Sequence, residues 1–182
     1  FIIVLNTVNI NRNSYFLFLG VAYAFIGSWE LLHMLAYKGM GVFPGQGANL
    51  PTQLWVITRY IEALSLVLAL VFSEQKLDFE KLFFSYFGGT IILLLSLFSW
   101  EIVPDCFLPG VGLTPFKKIS EYVIIAIVLA AIILLYYKEE DLNKESYYLM
   151  KYALITTILA ELAFTFYVDV YGLSNMIGHI FK

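Results

Sequence analysis

The stretch WELLHMLAYKGMGVFPGQGANLPTQ, residues 29–53, decides how this chain begins to fold. Its first part continues an apolar run that starts near Ser14, and it carries Glu30 and His33 three residues apart. The glycines and the proline at positions 39–47 prevent this helix from continuing. Pro51 suits the first turn of a new helix, because its missing N–H costs nothing there. The stretch therefore predicts two helices joined by a glycine-rich loop.

The composition places these helices in a membrane. The chain is 60% hydrophobic and 14% charged, with a mean hydropathy of +0.80, whereas soluble domains contain roughly 25% charged residues. The apolar runs are longer than the alternating strands of about ten residues in a β-barrel, so the spans are helical. A net charge of −3 with no basic cluster argues against a nucleic-acid partner. Cys106 is the single cysteine, which excludes an internal disulfide.

Working outward from the opening stretch, the apolar runs predict five complete membrane spans. A span needs about 20 apolar residues to cross the hydrocarbon core, and such runs cover approximately 14–37, 51–72, 82–100, 115–137 and 146–168. Truncated spans are expected at both ends, over residues 1–5 and after 175. We therefore predict an all-α, polytopic transmembrane helical bundle, and we interpret residues 1–182 as a single integral-membrane domain of a longer protein.

The basic residues in the links predict the orientation of these spans. One set of alternate links carries six lysines and arginines and the other set carries three. Because cytoplasmic links are enriched in basic residues, the first set is predicted to be cytoplasmic. The loops 38–51, 101–114 and 169–174 then face outward, and the expected location is the cytoplasmic (inner) membrane, with several passes.

Ionisable residues inside the spans gather near the predicted outer ends, at depths of roughly 6 to 16 Å for a rise of about 1.5 Å per residue. Charges inside a membrane are costly, so they indicate a functional site. Glu30 with His33, and Arg59 with Glu62, are each spaced to share a helix face. We predict an outer-leaflet polar pocket that detects a small ligand or a change of protonation. Its predicted members are Glu30, His33, Arg59, Glu62, Glu121, Glu161, His179 and Lys182.

Several alternatives remain open at this stage. Arg59 and Glu62 could form an ion pair that only specifies helix packing, and His33 could be a hydrogen-bonded residue of the bundle interior. His33 and His179, on separate spans, could ligate a b-type haem, and together with Glu30 they are candidate ligands for a divalent metal. A haem- or metal-binding redox protein and a small transporter are therefore the alternatives to a sensor. The chain contains no nucleotide-binding, hydrolase or kinase motif, so this segment is not expected to be an enzyme.

Three long motifs carry a family resemblance. The runs over Leu31–Pro44, Ala48–Glu62 and Phe164–Lys182 resemble the third class of membrane-associated sensor (MASE) domains of bacterial and archaeal signalling proteins. The resemblance implies a sensory input domain whose last helix signals to a cytoplasmic output in cis, such as a histidine kinase of a two-component system or a diguanylate cyclase. A homodimer embedded in membrane lipid is expected, while its small ligand is unknown. The motif positions implied for sensing are His33, Tyr37, Lys38, Gln53, Arg59, Glu62, Asp169, Asn175, His179 and Lys182.

Overall fold

The computed structural model of the chain describes residues 14–139 and 144–165. Within these ranges it contains five long helices, α1 (Ser14–Leu35), α2 (Asn49–Val71), α3 (Phe79–Phe98), α4 (Pro115–Tyr137) and α5 (Lys144–Thr165). All five are long and apolar enough to cross a membrane. This confirms the predicted all-α transmembrane fold. The truncated spans predicted at residues 1–5 and after 175 lie outside the described residues.

The helix ends differ from the predicted ones where local hydrogen bonds override hydropathy. The third helix was predicted from residue 82 but begins at Phe79, because the Asp78 carboxylate accepts hydrogen bonds from Glu80 N (2.9 Å) and Lys81 N (3.3 Å). Such a cap satisfies amide groups that the first helical turn leaves open. The second helix begins two residues before Pro51, which still lies in its first turn.

The link between α3 and α4, predicted as a loop, contains a two-stranded antiparallel hairpin. Strand β1 (Phe107–Leu108) pairs with β2 (Gly112–Leu113). The turn has Pro109 at its second position and Gly110 at its third, where φ is +81°, as in a type II turn. Strands of two residues are too short to produce an alternating pattern, so the sequence did not reveal them.

The helices belong to two compact units, Phe1–Pro104 and Asp105–Lys182, which are described separately. In the first unit α1 packs against α2 and α3. Its core contains aromatic and aliphatic side chains near the glycine-rich loop: Trp29, Ala36, Leu50, Leu54, Ile57 and Leu97. In the second unit α4 packs against α5 and buries a stripe of residues spaced three or four apart. The prediction that residues 1–182 form a single domain stays a prediction.

The outer faces of the helices are apolar. Large side chains such as Phe84, Ile92 and Ile133 are 65%, 58% and 57% exposed. Several exposed apolar side chains on every helix would be costly in water, whereas lipid tails are as apolar as the side chains themselves. The arrangement therefore suits a bundle whose surface contacts hydrocarbon.

Candidate functional site

Arg59 on α2 is the centre of a buried charged cluster in the first unit. Its guanidinium forms ion pairs with Glu30 on α1 and with Glu62, one turn further along α2. The Arg59 side chain is 2% exposed, and the Glu30 and Glu62 side chains are 25% and 13% exposed. The hydroxyl of Tyr23 donates to Glu62 Oε1 at 3.4 Å. Glu30, Arg59 and Glu62 are hereafter the Arg59 cluster, which has one fixed cation and two acids.

His33 lies one helical turn from Glu30 and is buried against aromatic rings. Its Nδ1 is 2.8 Å from the carbonyl oxygen of Pro51. A carbonyl oxygen only accepts, so Nδ1 carries a hydrogen, and in the neutral ring Nε2 is then the acceptor nitrogen. The ring centroid lies 5.2 Å from that of Tyr37 and 5.4 Å from that of Trp55. His33 therefore links the start of α2 to an aromatic wall.

Trp55 connects this wall to the Arg59 cluster. The Arg59 guanidinium carbon lies 4.6 Å from the centroid of the Trp55 ring, which is cation–π geometry. His33 and Tyr37 on α1, and Trp55 and Arg59 on α2, are each four residues apart and so share a helix face. The packing of α1 against α2 brings the two pairs together.

Gln53, another predicted sensing residue, holds the link that follows α3. Its amide nitrogen donates to the carbonyl oxygens of Val103 (2.9 Å) and Pro104 (3.1 Å). These bonds connect α2 to a chain segment about fifty residues later in the sequence. The Gln53 residue is buried, at 8% exposure. In this structure Gln53 therefore fixes a loop.

A second charged cluster is buried in the second unit. Lys117 on α4 forms an ion pair with Glu121, and both side chains are 0% exposed. Glu161 on α5 is 1% exposed and interacts electrostatically with Lys117. Lys117, Glu121 and Glu161 are hereafter the Lys117 cluster, which again has one cation and two acids.

Sequence reasoning included Glu121 and Glu161 but missed Lys117, which it counted among the basic residues of the links. A signal was present in the spacing. Positions 117, 121, 124, 128, 131 and 135 alternate by four and three, and all six are buried on one face of α4. Such a stripe marks the interior face of a helix, so Lys117 belongs to the interior.

Cys106 lies in the hairpin link near the Lys117 cluster. It is 0% exposed and forms no disulfide. Burial raises the pKa of the Cys106 thiol to about 12; the positive charge of Lys117 opposes this rise and the negative charge of Asp105 adds to it. The thiol is therefore protonated at neutral pH and is a poor nucleophile.

Several predicted sensing residues cannot be placed. Asp169, Asn175, His179 and Lys182 lie outside the described residues, and so does the side chain of Lys38. The suggested pairing of His33 with His179 for haem or metal thus stays a prediction. Among residues 14–139 and 144–165, no three His, Cys, Asp or Glu side chains are grouped to hold a metal ion. The prediction that the ionisable residues of the spans share one outer-leaflet polar pocket also stays a prediction.

Comparison with known proteins identifies the family. A family model described as a membrane-associated sensor domain, MASE3, matches residues 1–182, the whole chain. No curated protein matches the chain, and no solved structure does so either. Sensor domains of this kind are not themselves catalytic. The helical, membrane-associated chain therefore belongs to the MASE3 family of membrane-associated sensor domains.

Proposed function

We propose that this chain is the sensory input domain of a signalling protein in the cytoplasmic membrane, and that the Arg59 cluster is its detector. The observation that carries the proposal is the burial of Arg59 between Glu30 and Glu62. Buried ion pairs cost desolvation energy, and apolar residues in their place are often at least as stable. Charges inside a membrane span are accordingly functional by default.

The charge balance of the Arg59 cluster supports a proton or a small cationic ligand as the stimulus. With both carboxylates ionised, Glu30, Arg59 and Glu62 sum to one net negative charge. A proton, on a carboxylate or on the neighbouring His33, or a bound cation would neutralise this charge. Such a stimulus shifts helix packing only if it binds one packing of α1 against α2 more tightly than the other.

The position of the cluster supports an input from outside the cell. Arg59 lies ten residues, or about 15 Å, from the start of α2, and Glu30 lies five residues, or about 8 Å, from the end of α1. Glu30 is therefore near the glycine-rich loop, which the distribution of basic residues orients outward, while Arg59 lies near the middle of α2.

Family membership supports an output beyond this chain. We infer that the last predicted helix, after residue 175, passes the signal to a cytoplasmic output domain in cis, such as a histidine kinase or a diguanylate cyclase, within a homodimer. This helix lies outside the described residues, so the inference depends on the sensor-domain family and on the predicted orientation.

Fluorescence of Trp55 tests the detector directly, because Arg59 and His33 both contact its ring. Replacing Trp29 and Trp100 by phenylalanine leaves Trp55 as the single tryptophan. In lipid nanodiscs, we expect Trp55 emission to change with pH, because a proton gained by the cluster changes the charges next to the ring.

Variants assign this transition to the cluster. Glu62→Gln is expected to move its midpoint, because the substitution removes one negative charge from the cluster. The matched control Glu80→Gln, on the exposed first turn of α3, should leave the midpoint unchanged. The proposed detector role is refuted if Trp55 emission changes neither with pH nor on addition of Na⁺, K⁺, Mg²⁺ or Ca²⁺.

A further inference from the structure

The first unit contains a cavity that is separate from the Arg59 cluster. Its volume is about 360 Å³; residues of α1, α2 and α3 line it, and it is open to the surface. Its wall includes Phe18, Ser65, Leu68, Tyr86 and Gly89. The wall extends from Phe18, near the start of α1, to Ile61 in the middle of α2 and Leu93 in the second half of α3. None of the three residues of the Arg59 cluster lines the cavity.

The size and the walls of this cavity suit an apolar small molecule. At about 30 Å³ for a group the size of a water molecule, it has room for roughly a dozen such groups. Most of the wall is aliphatic or aromatic, and Leu64 and Leu68 at its edge are 47% and 39% exposed on the outer face of α2. Because that face contacts hydrocarbon, a molecule would enter from the lipid.

Four residues of the wall carry hydroxyl groups: Ser65, Ser85, Tyr86 and Thr90. Ser65 Oγ donates to the carbonyl oxygen of Ile61 at 2.5 Å and lies 2.6 Å from the hydroxyl of Tyr86. A serine hydroxyl has a single hydrogen, so Tyr86 is the donor to Ser65. The lone pairs of the Tyr86 oxygen can then accept a further hydrogen bond. The hydroxyl of Ser85 donates to the carbonyl oxygen of Lys81 at 2.7 Å, so its hydrogen is already used.

We propose that this cavity binds an apolar alcohol or phenol of about ten heavy atoms, whose hydroxyl donates a hydrogen bond to the Tyr86 oxygen. An alkane or a lipid acyl chain would fill the same walls, but it offers no donor. The site is a second ligand site of this sensor domain and does not depend on the role proposed for the Arg59 cluster.

Photolabelling of the purified chain tests the site. The probe is a diazirine derivative of 1-octanol, used with the chain in nanodiscs of saturated phosphatidylcholine. Labelled peptides are expected from the parts of α2 and α3 around Ser65 and Tyr86. Unlabelled n-decanol should compete about fivefold better than decane, which is the effect of about one hydrogen bond. Tyr86→Phe should abolish this preference while the ring still fills its place.

Two neighbouring glycines provide a matched pair of variants. A Cβ atom added at Gly88 or at Gly89 would meet no atom within 4 Å, but only Gly89 belongs to the wall of the cavity. We expect Gly89→Leu to fill the cavity and remove labelling at least tenfold, and Gly88→Leu to leave it unchanged, with equal helix content by circular dichroism. The proposal is overturned if the two variants are labelled equally, if labelling lies elsewhere, or if decane competes as well as n-decanol.

Discussion

Replacing Arg59 by methionine would remove the cation that Glu30 and Glu62 both contact, while keeping an apolar side chain in its place. Breaking a buried ion pair by removing one partner costs about 3–5 kcal/mol. The two carboxylates are 25% and 13% exposed, so water screens part of this effect. We therefore expect the lower end, about 3 kcal/mol, or a decrease of roughly 150-fold in the folding equilibrium constant.

The same reasoning predicts that neutralising the acids restores the lost stability. The triple variant Glu30→Gln/Arg59→Met/Glu62→Gln retains the packing and has no buried charge in the cluster, so its free energy of unfolding should lie within about 1 kcal/mol of that of the native chain. Reversible unfolding in mixed micelles of increasing SDS fraction, followed by circular dichroism, measures these values. The reasoning is refuted if Arg59→Met is as stable as the native chain, or if the triple variant is no more stable than Arg59→Met.

Three further predictions concern other residues. Lys117→Met should destabilise the chain by about 3 kcal/mol or more, because it removes a cation that is 0% exposed. The control Lys118→Met removes an exposed charge and should change the stability by less than about 0.5 kcal/mol. Equal effects of the two variants on unfolding in SDS would contradict this prediction. Alkylation of Cys106 by a maleimide at pH 8 should be about a thousandfold slower than alkylation of a control cysteine, Val111→Cys, placed in a Cys106→Ser background. The pKa of Cys106 is raised from 9.0 to about 12, whereas position 111 is 77% exposed. Similar alkylation rates of the two cysteines would refute this prediction. Because the raised pKa of Cys106 favours the protonated thiol in the folded chain, the free energy of unfolding should be constant below about pH 9 and decrease between pH 9 and pH 12. Gln53→Leu should cost about 1–3 kcal/mol by removing two hydrogen bonds to loop carbonyls, without changing the pH response of Trp55.

Most of the fold could be predicted because the bilayer constrains it so strongly. A span must be helical and must contain about 20 apolar residues, so hydropathy alone located all five described helices. The fourth helix, Pro115–Tyr137, has the predicted ends, because Thr114 caps it and proline is favoured at its first position. The start of α3 was predicted three residues late, since a cap such as Asp78 is a local hydrogen bond and leaves hydropathy unchanged.

The charged residues could be predicted less completely. The spacing of Arg59 and Glu62 predicted their contact, but the ion pair with Glu30 depends on how α1 packs against α2. The spacing of Glu30 and His33 also predicted a pair, whereas the hydrogen bonds of the structure connect Glu30 with Arg59 and His33 with the Pro51 carbonyl. Helical spacing reveals neighbours on one helix, while partners on other helices follow from tertiary packing.

The most direct test of the account uses the proposed signalling protein, with this chain as its input domain, reconstituted in proteoliposomes. Its output activity is measured while the pH on the side of the glycine-rich loop is changed between 5 and 8, in the native protein and in the variant Glu30→Gln/Arg59→Met/Glu62→Gln. The account predicts that the output of the native protein changes with pH and that the equally folded variant keeps one constant output. A variant that responds to pH as the native protein does would contradict the claim that the Arg59 cluster is the detector.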